Sequence, residues 1–315
     1  MVFLRRKVIT GIIIGVLLLS LVAAFAFKGD DADKAAKEGA GEKIAVIHIE
    51  GTIVSSDPGA FGSTSVAAAD RIVANLKEAR EDPEIKAVLL KLNTGGGSVV
   101  GSDEIGREIE RVKKSGKKVT AYMGEMAASG GYWISCKADR IIANPGTLTG
   151  SIGVILSITQ LQELYDKLGV KITNFTTGPY KDMGASNKPL SPEEQQIFQS
   201  LIDDSYQDFI NVVAQGRHMD PARVRELADG RIYTGKQAQA VGLVDELGDY
   251  TEAVQITAKL ANIKGEPELV EMGRPKGLWE EFFRGFQSKG NILPLSLEGL
   301  QLRPEQLLLP LRSEN

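Results

Sequence analysis

The run Lys43–Glu50 (KIAVIHIE) is apolar, ends at Gly51 and reads as a strand. Ile72, Val73, Leu76 and Ala79 then recur at helical spacing within Ser65–Arg80. IKAVLLKL (85–92) is a buried strand that runs into the glycine-rich turn NTGGGSV, and Ile105, Ile109 and Val112 share one face of a helix over 102–114. The cycle repeats at once: a strand over 118–123, the turn GEMAASGG, a helix over 130–138 and a strand Arg140–Ala143. Past residue 155 the pattern is mostly helical. Leu161, Leu164 and Leu168 fall on one helix that Gly169 ends, and VKITNF (170–175) reads as a strand. Ser191-Pro192-Glu193-Glu194 is a capping box with proline at the first helical position. It opens a long helix whose inner face is Phe198, Leu201, Ser205, Phe209 and Val212. Asp220-Pro221, Thr234-x-x-Gln237 and Asp249-x-x-Glu252 open three more, with Gly230, Gly242 and Gly265 as stops. Strands alternating with helices indicate an α/β domain built on right-handed crossovers.

The two ends read differently. Arg5, Arg6 and Lys7 precede an uncharged, mostly apolar run from Val8 to Phe27, long enough at about 1.5 Å per residue to span a bilayer core. Cations before the run and acids after it place the N-terminus in the cytoplasm and the bulk of the chain outside. Ala24-Phe25-Ala26 offers a cleavage site for a signal peptide, but the run exceeds the usual apolar region of one, which favours an uncleaved, single-pass anchor. The expected organisation is therefore a stub and transmembrane helix (1–27), a solvated linker (28–42), the α/β domain (43–265) and a C-terminal extension (266–315). In the extension Leu278, Trp279, Phe282, Phe283 and Phe286 make an apolar helical face, read as packing on its own domain before lipid.

Charge and rare residues narrow the chemistry. Among 315 residues, Lys+Arg 37 against Asp+Glu 41 leaves a formal net charge of −4, which argues against a nucleic-acid partner. Cys136 alone forbids an intrachain disulfide or a thiolate-rich metal site, and reads as core. His48 and His218 are too few for a zinc site built on imidazole.

Three turns could carry chemistry. Asn93–Ser98 leaves a buried strand with three glycines whose N–H groups can face an anion or an oxyanion, or it is an ordinary flexible turn. Gly230-x-x-x-x-Gly235-Lys236-Gln237 nearly matches a phosphate-binding loop, but Gln replaces the magnesium-binding hydroxyl and the Thr234 capping box explains the same residues. Ser129 stands where the strand through Gly124–Ala128 gives way to a helix. There it is a candidate nucleophile or, equally, a helix N-cap. A nucleophile needs a base. Neither histidine has a flanking motif, and a lysine serves if burial depresses its pKa; the residues by themselves do not choose which. Ser115-x-x-Lys118 matches an S-x-x-K string but lies in the solvated turn KKSGKK.

KLNTGGGSV, MGEMAASGGYWIS, ANPGTLTGSIGV, GPYKDMG and DGRIYTGKQAQAVGLVDELG occur in that order. Over roughly residues 43–260 they resemble the signal peptide peptidase A family of serine–lysine peptidases. The resemblance implies a crotonase-like (Clp-protease-like) superhelix of ββα units on a membrane anchor. It implies Ser129 as nucleophile, Lys181 as general base, oxyanion contacts from the N–H groups of Gly96 and Ser129, and Ser151 as a hydroxyl that orients Lys181. The implied substrates are remnant signal peptides, with no metal or organic cofactor. The implied assembly is a homo-oligomeric ring in which the serine of one copy meets the lysine of the next. Two departures bear on this: Gly95 stands where the family's turn has proline, and Asp182 must point away from Lys181 or it would favour the ammonium. The alternatives on the same fold are an acyl-CoA enzyme and a non-catalytic membrane scaffold.

Overall fold

The computed structural model describes residues 42–57 and 66–273. The expected anchor at 8–27, nearly all of the linker at 28–42 and the apolar face at 278–286 lie outside the described residues. Among the described residues no helix is long and apolar enough to cross a membrane.

The centre is a sheet of strands β1 (Lys43–Glu50), β4 (Ile85–Thr94), β5 (Lys118–Ala128) and β6 (Arg140–Ala143), adjacent in that order and all parallel. A parallel sheet needs cover on both faces, and the strands read as apolar runs because both are covered. On one face Ile47, Leu90 and Ala121 pack with Leu76 of α1 (Ala69–Glu81) and Ile105 and Ile109 of α2 (Val99–Lys114). On the other, Ile44, Leu89 and Ile142 meet Ala253 and Ala258 of a helix near the C-terminal end of the domain. Each large side chain fully buried here stabilises the fold by roughly 1.5–3 kcal/mol.

Several elements were not visible in the hydrophobic pattern. Strand β2 (Thr52–Val54) pairs with β3 (Val66–Ala68), which occupies the beginning of the predicted 65–80 helix. After the short α3 (Gly130–Ser135), strand β7 (Leu148–Gly150) extends the pairing of β5 past a bulge at Gly124–Met126. Helix α4 (Gln162–Leu168) is closed by Gly169 in the left-handed conformation, as predicted, but buries none of its residues. The strand predicted over 170–175 does not form. Val170, Ile172 and Phe175 are exposed and, among the described residues, no strand lies beside them to complete a ladder.

The long helix α5 (Pro192–Arg217) starts on the predicted capping box: Ser191 Oγ accepts the Glu194 N–H and the Glu194 carboxylate accepts the Ser191 N–H. Helix α6 (Pro221–Leu227) is capped by Asp220. Strand β8 (Ile232–Thr234) is antiparallel to β7, and α7 (Gly235–Ala240) starts on the Thr234–Gln237 box. Strand β9 (Glu246–Leu247) extends the sheet beyond β6, and α8 (Tyr250–Leu260) starts on the Asp249–Glu252 box. Strand β10 (Glu268–Met272) then pairs with β1 in parallel at the edge of the sheet.

Candidate active site

Two strand ends meet at the candidate site. β4 delivers the glycine turn and β5 delivers Ser129. The turn is held by β2: the Ile53 N–H donates to the Gly96 carbonyl (2.9 Å) and the Ser98 N–H donates to the Ile53 carbonyl (2.8 Å). Thr94 Oγ1 donates to the Gly51 carbonyl (2.5 Å) and accepts the Gly96 N–H (3.0 Å), and Ser98 caps α2. Gly96 and Gly97 have φ of 96° and 151°, a region that disfavours any Cβ. A Cβ on Gly97 would collide with the Ile53 backbone, and one on Gly96 would stand 2.8 Å from the Ser129 Cβ and 2.7 Å from the Gly130 nitrogen. The glycines therefore serve a close approach of two backbones.

Ser129 has φ 52° and ψ −119° at the first turn of α3. Such a conformation costs a non-glycine residue on the order of 1–3 kcal/mol and persists only where its surroundings over-determine it. Here the Ser129 N–H donates to the Gly150 carbonyl of β7 (2.9 Å) and its carbonyl accepts the Trp133 N–H (2.9 Å). The side chain makes no capping hydrogen bond, which removes the N-cap reading. It lines a cavity of about 110 Å³ with Gly97, Val99, Trp133, Val154, Ile155 and Phe209. That volume admits one side chain and is far below the roughly 300–1,000 Å³ of a cofactor pocket.

One expected contact needs correcting. The Ser129 N–H is taken by Gly150 and does not face the cavity as an oxyanion donor. The Gly96 N–H is also engaged, by a neutral hydroxyl within its own turn. The Gly130 N–H opens α3, where helical N–H groups lack intrahelical acceptors, and it lies against Gly96.

Ser151 follows directly, with φ 49° and its N–H on the Arg231 carbonyl (2.8 Å). No hydrogen bond joins its side chain to Lys181 among the described residues. Lys181 sits apart, exposed in a series of turns, and is not in the wall of the Ser129 cavity. Asp182 points elsewhere: its carboxylate is 2.7 Å from the Lys188 ammonium, which holds it below the usual carboxylate range, with help from Asn174.

The other candidates fall away from the cavity. His48 lies between Glu50 (2.9 Å) and Glu271 (2.5 Å), and His218 closes α5 in the left-handed conformation. Cys136 is buried, and burial pushes its thiol up to about 12, so it is core. The sequence reading missed β2 as the brace of the glycine turn. The signal was the apolar pair Ile53-Val54 between Gly51 and Ser55, too short to show a periodicity.

A serine on a strained strand-to-helix turn, with its hydroxyl free in a cavity beside a glycine-built backbone cradle, is the arrangement of nucleophilic acyl-transfer enzymes. The comparisons give the particular family. Residues 111–264 match the model of Peptidase family S49. Protease 4 of Salmonella typhi is 41% identical over 226 residues, which is 71% of this chain and 35% of that protein. A Synechocystis sp. protein assigned as a protease is 41% identical over 231 residues, 73% of this chain and 78% of the relative. An Enterococcus faecium protein assigned as signal peptide peptidase SppA is 36% identical over 278 residues, 81% of this chain and 80% of the relative. The chain thus spans about a third of Protease 4 but most of the two shorter relatives. The chain belongs to peptidase family S49, a family of serine peptidases.

Proposed function

We propose that this chain is a membrane-anchored serine endopeptidase of crotonase-like fold, tethered through residues 8–27 with its catalytic domain outside the cytoplasm. Its substrates on this reading are remnant signal peptides, and its catalytic pair is Ser129 of one copy with Lys181 of a neighbouring copy. The observation that carries the reading is the over-determined conformation of Ser129, whose side chain lines a side-chain-sized cavity in which no base stands among the described residues. The exposed apolar side chains of the same segment as Lys181, among them Phe175 (96% exposed) and Leu168, support a neighbour there.

The chemistry follows from the groups. Neutral Lys181 Nζ accepts the proton of Ser129 Oγ as the oxygen attacks the peptide carbonyl. The Gly130 N–H, and the Gly96 N–H as it exchanges the neutral Thr94 hydroxyl for a charged acceptor, hold the oxyanion. The C–N bond breaks as Lys181 returns the proton to the leaving amine. Lys181 then takes a proton from water, whose oxygen attacks the ester, and returns it to Ser129 as the acid departs. Ser151 remains the candidate hydroxyl for orienting the incoming lysine.

The test is hydrolysis of an apolar peptide by the full chain in detergent. Ser129→Ala and Lys181→Ala should each lower kcat/KM by at least about four orders of magnitude, and the double variant should be little worse. Substantial turnover in Lys181→Ala would remove that residue from the base role.

A further inference from the structure

Lys181 has a carboxylate for its sequence neighbour, which is awkward for a residue that must shed a proton. A free Asp182 turned towards it would stabilise the ammonium, and each pKa unit so gained lowers the neutral fraction about tenfold on the acid limb. The structure disposes of that carboxylate through three elements. Lys188 Nζ lies 2.7 Å from Asp182 Oδ1 and 2.8 Å from Glu194 Oε1. Glu194 is 3% exposed, and its other oxygen accepts the Ser191 N–H (3.1 Å) at the start of α5. Asn174 Nδ2 approaches the second Asp182 oxygen (3.4 Å), and no ion pair joins Asp182 to Lys181 among the described residues.

The backbone around the pair is also tied down. Lys181 N–H donates to Gly178, Met183 N–H to Tyr180 and Ala185 N–H to Asp182, while Leu161 N–H donates to Ser186 (2.7 Å). Gly184, at φ 77°, leaves room for the Phe198 ring of α5, 3.1 Å from where a Cβ would stand. The charged groups facing the cluster are Asp182, Lys188 and Glu194, with Glu193 on the same helical turn bonded to Ser191. Asp182 and Glu194 are held below the usual carboxylate range by Lys188, and Lys188 is raised by both, so the cluster stays fully charged near neutrality.

We propose that Lys188, anchored on Glu194 at the start of α5, is a positioning residue that holds the Asp182 carboxylate away from Lys181 and so keeps Lys181 able to act as a neutral base. This rests on the reading of Lys181 as the base. Lys188 touches no reacting atom; it acts through Asp182.

The experiment is the pH profile of kcat/KM for the full chain, with four variants beside the wild type. Lys188→Met should move the acid limb to higher pH by about one unit, an approximately tenfold loss on the limb with the alkaline plateau kept. Lys188→Arg, which can keep both ion pairs, and Asp182→Asn placed in the Lys188→Met background should each bring the limb back. The last variant separates the freed carboxylate from the mere loss of a nearby cation. A Lys188→Met profile lowered equally at every pH, an unmoved limb, or no rescue by Asp182→Asn would overturn the proposal. Lys181→Ala run in parallel keeps the two ideas apart. If it is inactive while the Lys188→Met limb stays put, only the clamp fails; if it is active, the base assignment fails and the clamp with it.

Discussion

Around Ser129 the chain determines its own conformation; around Lys181 it does so only locally. The serine turn is braced by β2, β4 and β7, its neighbours are buried, and two glycines have no room for a side chain. The segment from Leu156 to Pro189 has a helix with no buried residue and a would-be strand with no partner among the described residues, and it presents Leu164, Leu168, Phe175 and Tyr180 to solvent. Its contacts with α5 include the Lys188 cluster on Glu194 and the Phe198 ring against Gly184. On the proposed reading, a monomer organised in this way has a finished nucleophile and an unfinished base. That difference is what a shared site would produce, because the two halves then need different degrees of preorganisation before assembly.

Mixing inactive chains is the strongest way to break the comparison. If Ser129 meets Lys181 across a head-to-tail interface, co-expressed Ser129→Ala and Lys181→Ala chains should regain activity, since about a quarter of randomly assembled junctions pair two intact residues. Sites within one chain would regain none. Mixed assemblies that form, as shown by tagging the two variants differently, yet stay inactive would place both residues in one subunit or remove one of them.

The exposed segment offers a second test, smaller in effect. Phe175→Asp and Leu168→Asp change exposed side chains away from the Ser129 cavity wall, so thermal stability of the monomer should move by no more than about 0.5 kcal/mol. If the segment is an interface, assembly measured by light scattering should weaken and kcat/KM should fall together at low enzyme concentration. Unchanged mass and activity would leave those apolar residues without a partner.

What could be read beforehand divides along the same line. The helix starts at Ser191, Thr234 and Asp249 were legible because a capping box is written within four residues. MAASGG and NTGGGSV were legible because close backbone approach demands glycine locally. Pairings between distant segments were not: β7, β8 and β10 are short, and their partners lie far along the chain. The resemblance implies an oxyanion role for the Ser129 N–H, and nothing local to Ser129 signals that Gly150, distant in sequence, takes it. Val170, Ile172 and Phe175 have strand-forming side chains, but a strand also needs a neighbour, and the described residues supply none there. Asp182 is conspicuous as the sequence neighbour of Lys181, whereas its clamp, Lys188, sits in a turn with no periodic signal.

Stability on the nucleophile's side can be probed through Arg217 and Asp245, which hold the end of α5 to the sheet and so help set Phe209 against the cavity. The pair is bidentate (2.6 and 3.0 Å), Arg217 is 9% exposed, and Asp245 also accepts the Ile141 N–H (2.8 Å). Burial pushes the Asp245 carboxyl up, but the Arg217 and Ile141 hydrogen bonds outweigh it and leave it below the usual range. A depressed carboxylate contributes stability that is present above its unfolded pKa and is lost as pH falls through the folded one. Asp245→Asn should therefore destabilise by about 3 kcal/mol, or several degrees in Tm, at neutral pH. The gap to wild type should hold down to about pH 5 and close below about pH 4. A gap independent of pH would mean that shape, not charge, is what the variant loses.

The smallest expected effect comes from the first glycine of the turn. Gly96 and Gly97 are excluded from carrying side chains by their left-handed φ and by the Ser129 and Ile53 backbones. Gly95 has neither constraint: its φ is not in the left-handed region, and a Cβ there would meet the Met126 sulfur at 3.5 Å, an ordinary contact. Replacing it by alanine restricts the unfolded chain more than the folded one, so Gly95→Ala should stabilise by about 0.4–1 kcal/mol with the cradle intact. Gly96→Ala should instead force the turn off Gly130 and sharply lower kcat. The two adjacent substitutions thus have opposite signs, measured by denaturant midpoint at constant m-value and by turnover. A destabilised Gly95→Ala would show that the turn needs a third unhindered glycine, and that more of the cradle is strained than its φ angles reveal.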